Sequence, residues 1–114
     1  MTASGPALVA ALQRAGLLVE AAALPSLAFL TADSREVRAG ALFVAVRGSQ
    51  ADGHRFVPDA IARGAAALVV EARQPVEVPQ LVVTDARRAA IELARSWYGD
   101  PAAALVLVGV TGTN

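Results

Sequence analysis

The chain has 114 residues, which is enough for one domain with an adequate hydrophobic core. Its ten acidic and ten basic side chains cancel at pH 7, which argues against a surface for nucleic acid or anionic membranes. Cysteine is absent and histidine occurs once, so disulfides, thiolate catalysis and cysteine metal sites are excluded, and no metal site is expected.

The N-terminal half is predicted to contain one helix and two strands. The helix is expected between Ser4, whose side chain can cap it, and Gly16, which can end it. Residues 17–25 are ambiguous, because a proline at their end prevents a continuous helix. The apolar runs at residues 27–32 and 41–46 predict strands.

The C-terminal half continues the alternation of helices and strands. A short helix, two strands, a long helix and a last strand are predicted at about residues 58–64, 67–70, 81–84, 85–99 and 105–110. The apolar stripe of the long helix comprises Ala86, Ala90, Leu93, Ala94 and Trp97.

The alternation and the strands that are apolar on both faces together predict the fold class. We expect an α/β domain with a mixed or mostly parallel sheet of about five strands. Helices should cover both faces of that sheet, because both faces of several strands are apolar.

A polar tripeptide, Asp33-Ser34-Arg35, follows the first predicted strand. Residues in this position often hold a ligand, since the carboxyl end of a parallel strand opens onto a crevice. On local pattern alone, an Asx turn with a solvated arginine is the favoured interpretation. No histidine is close in sequence, so Ser34 is not expected to be an activated nucleophile.

A glycine-containing polar loop, residues 47–54, follows the second predicted strand. Ser49, Gln50 and Ala51 are suited to contact a uracil edge, a ribose or a phosphate, but an Asp-Gly turn with a structural histidine explains the loop as well. We expect His54 to make a structural hydrogen bond and not to act as a general base, because no carboxylate is spaced to orient its ring.

The last six residues, 109–114, read Gly-Val-Thr-Gly-Thr-Asn and continue an apolar run. Phosphate-binding loops begin in this way, because backbone N–H groups must approach the phosphate oxygens closely. Such a loop would continue with glycine and lysine, and this chain has no lysine. The segment is expected to be either a plain strand and tail or the start of a second domain in a larger enzyme.

Taken in order and at these spacings, the three segments resemble the N-terminal region of the Mur ligases. The likeness is to the MurE type, the UDP-N-acetylmuramoyl-tripeptide synthetases. Residues 31–71 contain the family's Asp-Ser-Arg, Gly-x-Leu-Phe-Val-Ala, Asp-Gly-His and Gly-Ala motifs. Residues 82–114 resemble the helix and linker that lead into its ATP loop, whereas residues 1–26 match only loosely.

The resemblance implies a division of the chain. Residues 1–100 would form a UDP-substrate-binding domain, and residues 101–114 would be the linker, first strand and truncated phosphate loop of a central ATP-binding domain. The parent enzyme would use ATP and Mg2+ to add a diamino acid to UDP-N-acetylmuramoyl-L-alanyl-D-glutamate in peptidoglycan biosynthesis. The chain alone should be inactive, with no catalytic residue of its own.

The family's binding positions carry over residue by residue. Five positions match its uridine-nucleotide contacts: Ala32, Ser34, Ser49, Gln50 and Ala51. Three positions match the opening of its ATP loop: Gly112, Thr113 and Asn114.

Two alternatives stay open. The N-terminal domain of a MurF-type ligase has a similar pattern, although its ATP loop usually carries serine after the glycine. A non-catalytic sugar-nucleotide-binding module on the same fold would be complete as it stands. The sequence lacks a long apolar run and signal-peptide features, so we expect a cytoplasmic protein without a membrane partner. The zero net charge predicts no nucleic-acid partner, and we expect a monomer.

Overall fold

A computed structural model of the protein describes residues 4–47 and 52–99. Helices and strands in these ranges follow the order α1 (Gly5–Arg14), β1 (Leu18–Glu20), β2 (Phe29–Thr31), β3 (Ala41–Val44), α2 (Val57–Ala62), β4 (Ala67–Val70), β5 (Gln80–Val83) and α3 (Ala86–Tyr98). Two short 3-10 helices, Ser34–Glu36 and Gly53–Phe56, follow β2 and precede α2.

One sheet contains the five strands in the spatial order β1-β5-β4-β3-β2. The strands from β2 to β5 pair in parallel with their neighbours, and β1 pairs antiparallel with β5. The predicted α/β class with a mixed, mostly parallel sheet is therefore confirmed.

The edge strand β1 is not one of the predicted strands. It lies within residues 17–25, which the sequence left ambiguous, and it is only three residues long. Pairing with β5 stabilises it, and the Thr84 N–H donates to the Leu17 carbonyl at 2.9 Å beside that pair. The predicted strand at residues 105–110 lies outside the described residues.

Helices cover both faces of the sheet. Every residue of β3, β4 and β5 is buried, and successive side chains of a strand point to opposite faces. On one face, α1 and α3 pack over side chains that include Leu42, Val69 and Leu81. On the other, α2 packs over Phe43, Leu68 and Val70.

The helices begin and end where their sequence signals lie. Ser4 Oγ accepts a hydrogen bond from the Ala7 N–H at 3.4 Å, and Asp85 Oδ1 accepts from the Arg88 N–H at 3.1 Å. Gly99 ends α3 with φ 72°, a left-handed conformation that glycine adopts without strain. No helix in the described ranges has the length and apolar character needed to cross a bilayer.

Candidate functional site

The polar segments after β2 and β3 lie at the same edge of the sheet. The two strands pair in parallel with Thr31 opposite Phe43, so their carboxyl ends point the same way. The tripeptide that begins at Asp33 and the loop that begins at Arg47 each leave from these adjacent ends. This edge is where ligands bind in open parallel sheets.

The turn after β2 is held by its own side chains. Asp33 Oδ1 accepts from the Arg35 N–H at 2.9 Å, and the Arg35 guanidinium donates to both carboxylate oxygens at 3.0 and 2.9 Å. Thr31 Oγ1 accepts from the Asp33 N–H at 3.1 Å. The side-chain hydrogen bond from Arg35 lowers the pKa of Asp33, so the carboxylate stays charged at neutral pH. The predicted Asx turn is present.

The turn positions Ser34, but the hydrogen bonds that hold the turn do not involve the Ser34 hydroxyl. The residue is 7% exposed, and its carbonyl accepts from the Val37 N–H at 3.2 Å. Its hydroxyl makes no hydrogen bond to another residue within 4–47 or 52–99. Ala32, the other predicted contact after β2, is half-buried against the core. The turn therefore fixes the backbone around Ser34 without using its hydroxyl.

The loop after β3 is closed at its stem. Arg47 and Asp52 form an antiparallel bridge, and the Gly53 N–H donates to the Val46 carbonyl at 2.9 Å. Arg47 and Asp52, which flank positions 48–51, are therefore held together at the sheet edge. The predicted contacts Ser49, Gln50 and Ala51 lie within that segment, outside the described residues.

His54 has a carboxylate partner, contrary to the sequence-based expectation. Its Nδ1 lies 2.6 Å from Asp52 Oδ1, and its Nε2 accepts from the Glu71 N–H at 2.9 Å. Asp52 is only two residues before His54, and the Asx turn brings the ring back to the carboxylate, whose Oδ1 also accepts from the His54 N–H. These contacts lower the pKa of Asp52, first through the backbone hydrogen bond from His54 and then through the ring.

The expected structural role of His54 agrees with this geometry. Nε2 accepts from the Glu71 N–H and Nδ1 faces the Asp52 carboxylate, so this geometry matches the tautomer that carries a proton on Nδ1. Neither nitrogen keeps a lone pair free to remove a proton from a substrate. His54 thus fastens the loop stem to the end of β4.

The sequence analysis missed Glu71. Its Oε1 lies 3.2 Å from the Arg47 Nε, and its Oε2 accepts from the Ala86 N–H at 2.8 Å. The sequence did contain a signal for it, namely a polar residue at the carboxyl end of a predicted strand. Glu71 is the first polar residue after β4, and Arg47 is in a similar position shortly after β3. No group of three or more potential metal-binding acidic or histidine side chains occurs in the part of the chain that the structure describes.

Comparison with known proteins identifies the family. The sequence model described as "Mur ligase family, catalytic domain" matches residues 26–99, well over half of the chain. The chain belongs to the Mur ligase family. The matched region of this Mur ligase chain contains the turn at Asp33, the loop stem at Arg47 and Asp52, and Glu71.

Curated Mur ligases that resemble the chain are much longer. It is 49% identical over 90 residues to the UDP-N-acetylmuramoyl-L-alanyl-D-glutamate--2,6-diaminopimelate ligase of Geobacillus kaustophilus, covering 79% of this chain and 18% of that protein. The enzyme of the same name from Chlorobium phaeobacteroides is 52% identical over 89 residues, covering 75% and 17%. The chain thus spans less than a fifth of these two relatives.

Solved Mur ligase structures share the fold. A UDP-N-acetylmuramoylalanyl-D-glutamyl-2,6-diaminopimelate--D-alanyl-D-alanyl ligase from Acinetobacter baumannii matches with a TM-score of 0.70 and 27% identity, over 84% of this chain and 21% of that one. MurF of Thermotoga maritima, solved with ADP, matches with a TM-score of 0.54 and 35% identity, over 58% and 16%. The ATP-loop positions Gly112, Thr113 and Asn114 lie outside the described residues.

Proposed function

We propose that residues 1–100 bind the uridine-nucleotide end of UDP-N-acetylmuramoyl-L-alanyl-D-glutamate. One observation carries this proposal: the turn at Ser34 and the stem of segment 48–51 leave adjacent parallel strands at the same sheet edge. Ala32, Ser34, Ser49, Gln50 and Ala51 would be the contact residues. A hydroxyl, an amide and backbone groups suit the hydrogen-bonding edges of uracil and ribose.

In the same proposal, this domain serves a larger ATP-dependent ligase. Residues 101–114 would begin the ATP-binding domain, with Gly112, Thr113 and Asn114 at the start of its phosphate loop. ATP and Mg2+ would activate the substrate carboxylate, and the amine of a diamino acid would attack it. Holding the distant uridine end supplies binding energy that positions this reacting carboxylate.

The names of the relatives favour the MurE-type reaction over the MurF type. The two curated relatives described above are 2,6-diaminopimelate ligases at 49% and 52% identity, whereas the Acinetobacter D-alanyl-D-alanyl ligase is 27% identical. These names support 2,6-diaminopimelate as the amino acid that the parent enzyme adds. The residues selecting that amino acid would lie beyond this chain.

Titration of the 114-residue chain with UDP tests the binding proposal. We expect a dissociation constant on the order of a millimolar, because the contacts to the remainder of the substrate are missing. Amide resonances of Ser34 and of segment 48–51 should shift in NMR spectra. ADP is the matched control, since it carries the same diphosphate on a different base; equal or larger shifts with ADP would contradict the assignment.

Replacement of Ser34 by alanine should weaken UDP binding while the turn remains. The loss of one neutral hydrogen bond costs about 0.5–1.5 kcal/mol, or about a two- to twelvefold increase in the dissociation constant. The turn should persist, because the hydrogen bonds that Asp33 makes with Arg35 and Thr31 do not use the Ser34 hydroxyl. Ser96→Ala, an exposed position on α3, is the control in the same titration. Unchanged UDP affinity in Ser34→Ala would remove Ser34 from the binding site.

A further inference from the structure

We infer that Thr31, the last residue of β2, is the positioning residue for Ser34. The inference rests on the proposed function, in which the Ser34 hydroxyl contacts the uridine nucleotide. Thr31 itself is not among the proposed contact residues. Two consecutive turns, each closed by a side-chain oxygen, connect it to the backbone on either side of Ser34.

Thr31 closes the first of these turns. Its Oγ1 accepts from the Asp33 N–H at 3.1 Å and donates to the Asp33 carbonyl at 3.4 Å. That carbonyl and the Ser34 N–H belong to one planar peptide group, so Thr31 acts directly on the backbone of Ser34. Thr31 is 4% exposed, so water competes little for these bonds, and pairing with Phe43 of β3 fixes its own backbone. The sheet therefore holds Thr31, and Thr31 holds the peptide group that leads into Ser34.

Asp33 closes the second turn. Its Oδ1 accepts from the Arg35 N–H at 2.9 Å, and its carbonyl accepts from the Glu36 N–H at 3.0 Å. The side chains of the Asp33–Arg35 ion pair are 35% and 81% exposed, and ion pairs at such positions contribute little to stability. Of the side chains that hold the two turns, Thr31 is thus the one that is shielded from water.

A buried threonine that only satisfies its own hydroxyl would give a different result on substitution. Loss of that hydroxyl would then destabilise the domain, and its effect on binding would not depend on Ser34. A positioning residue acts through Ser34, so removal of the Ser34 hydroxyl should remove the effect of Thr31 on binding as well. A double-mutant cycle distinguishes the two roles, because it measures how far the effect of one substitution depends on the other.

We expect Thr31→Val to weaken UDP binding by the 114-residue chain about two- to twelvefold, the range expected for Ser34→Ala. In the Ser34→Ala background the same substitution should have no further effect on UDP affinity. Thr31→Ser, which keeps the oxygen, should restore binding. The matched control is Thr84→Val, at the exposed residue that directly follows β5, and it should bind like the unchanged chain. Unchanged UDP affinity in Thr31→Val, or an equal loss in both backgrounds, would overturn the inference.

A ligand-free measurement keeps the inference separate from the proposed function. In Thr31→Val, the NMR order parameter of the Ser34 amide should fall from the value of about 0.85 of a rigid backbone toward about 0.6, whereas Thr84→Val should leave it unchanged. Thr31→Ala removes the same hydroxyl with a smaller side chain and should give the same result, which covers a failure of Thr31→Val to fold. An unchanged Ser34 order parameter would refute the role of Thr31. Failure of the unchanged chain to bind UDP would instead refute the nucleotide assignment.

Discussion

Replacing Phe43 by alanine should lower the free energy of unfolding by about 3–5 kcal/mol, the usual cost of removing a buried phenylalanine ring. Phe43 is fully buried in the middle of β3, where it packs with Leu68 and Val57 under α2. The free energy of unfolding of a typical domain is about 5–15 kcal/mol, so this loss would be a large part of it. Urea unfolding followed by circular dichroism measures it.

Phe56→Ala is the matched control for this change. Phe56 is 41% exposed, so the same truncation removes less buried surface and should cost about 1–2 kcal/mol. Similar losses for the two variants would show that the layer under α2 is not tightly packed. Because β3 leads directly into the loop stem, Phe43→Ala should also weaken UDP binding under conditions in which it remains folded.

Replacing Gly53 by alanine should destabilise the protein by about 2–3 kcal/mol, a cost typical of overpacking against atoms that cannot move aside. A Cβ at this position would lie 2.7 Å from both the N and the O of Val46 and 3.0 Å from the carbonyl carbon of Ala45. These are backbone atoms of the two residues that directly follow β3. The loop stem must therefore move away from the strand, and its hydrogen bond to Val46 is lost.

Gly16→Ala separates this steric effect from the general cost of replacing glycine. A Cβ on Gly16 would have no atom within 4 Å, so only its φ of 73° opposes alanine, at about 1 kcal/mol. The NMR readout adds a second distinction: Gly53→Ala should shift the amides of Arg47 and His54, and Gly16→Ala should leave them unchanged. A loss no larger in Gly53→Ala than in Gly16→Ala would contradict the close approach to Val46.

The long helix α3 is an element that local sequence predicts well. The predicted stripe of Ala86, Ala90, Leu93, Ala94 and Trp97 is buried against the core. A period of 3.6 residues repeated over four turns is a strong signal, and capping by Asp85 depends only on neighbouring residues. The buried strand at residues 67–70 was predicted to the residue for a similar reason, since its apolar run is short and bounded by glycine and polar residues.

Strand β1 shows where local sequence fails. Three residues cannot display a periodic pattern, and two of them are exposed. Residues 18–20 become a strand because β5 offers them unpaired backbone groups at its edge. That partner lies more than sixty residues away along the chain, so no pattern near residues 18–20 indicates the pairing.

The amino-acid sequence by itself determined the alternation of strands and helices, the Asx turn at Asp33 and the motifs that the Mur ligase family shares. Each of these depends on residues that are close together along the chain. Only the tertiary structure decided how the loop stem is held. The bonds from Glu71 to His54 and Ala86 span 17 and 15 positions, and they form because parallel pairing places the end of β4 between the loop after β3 and the start of α3. Such contacts arise from the order of strands in the sheet, which residue patterns within one segment do not specify.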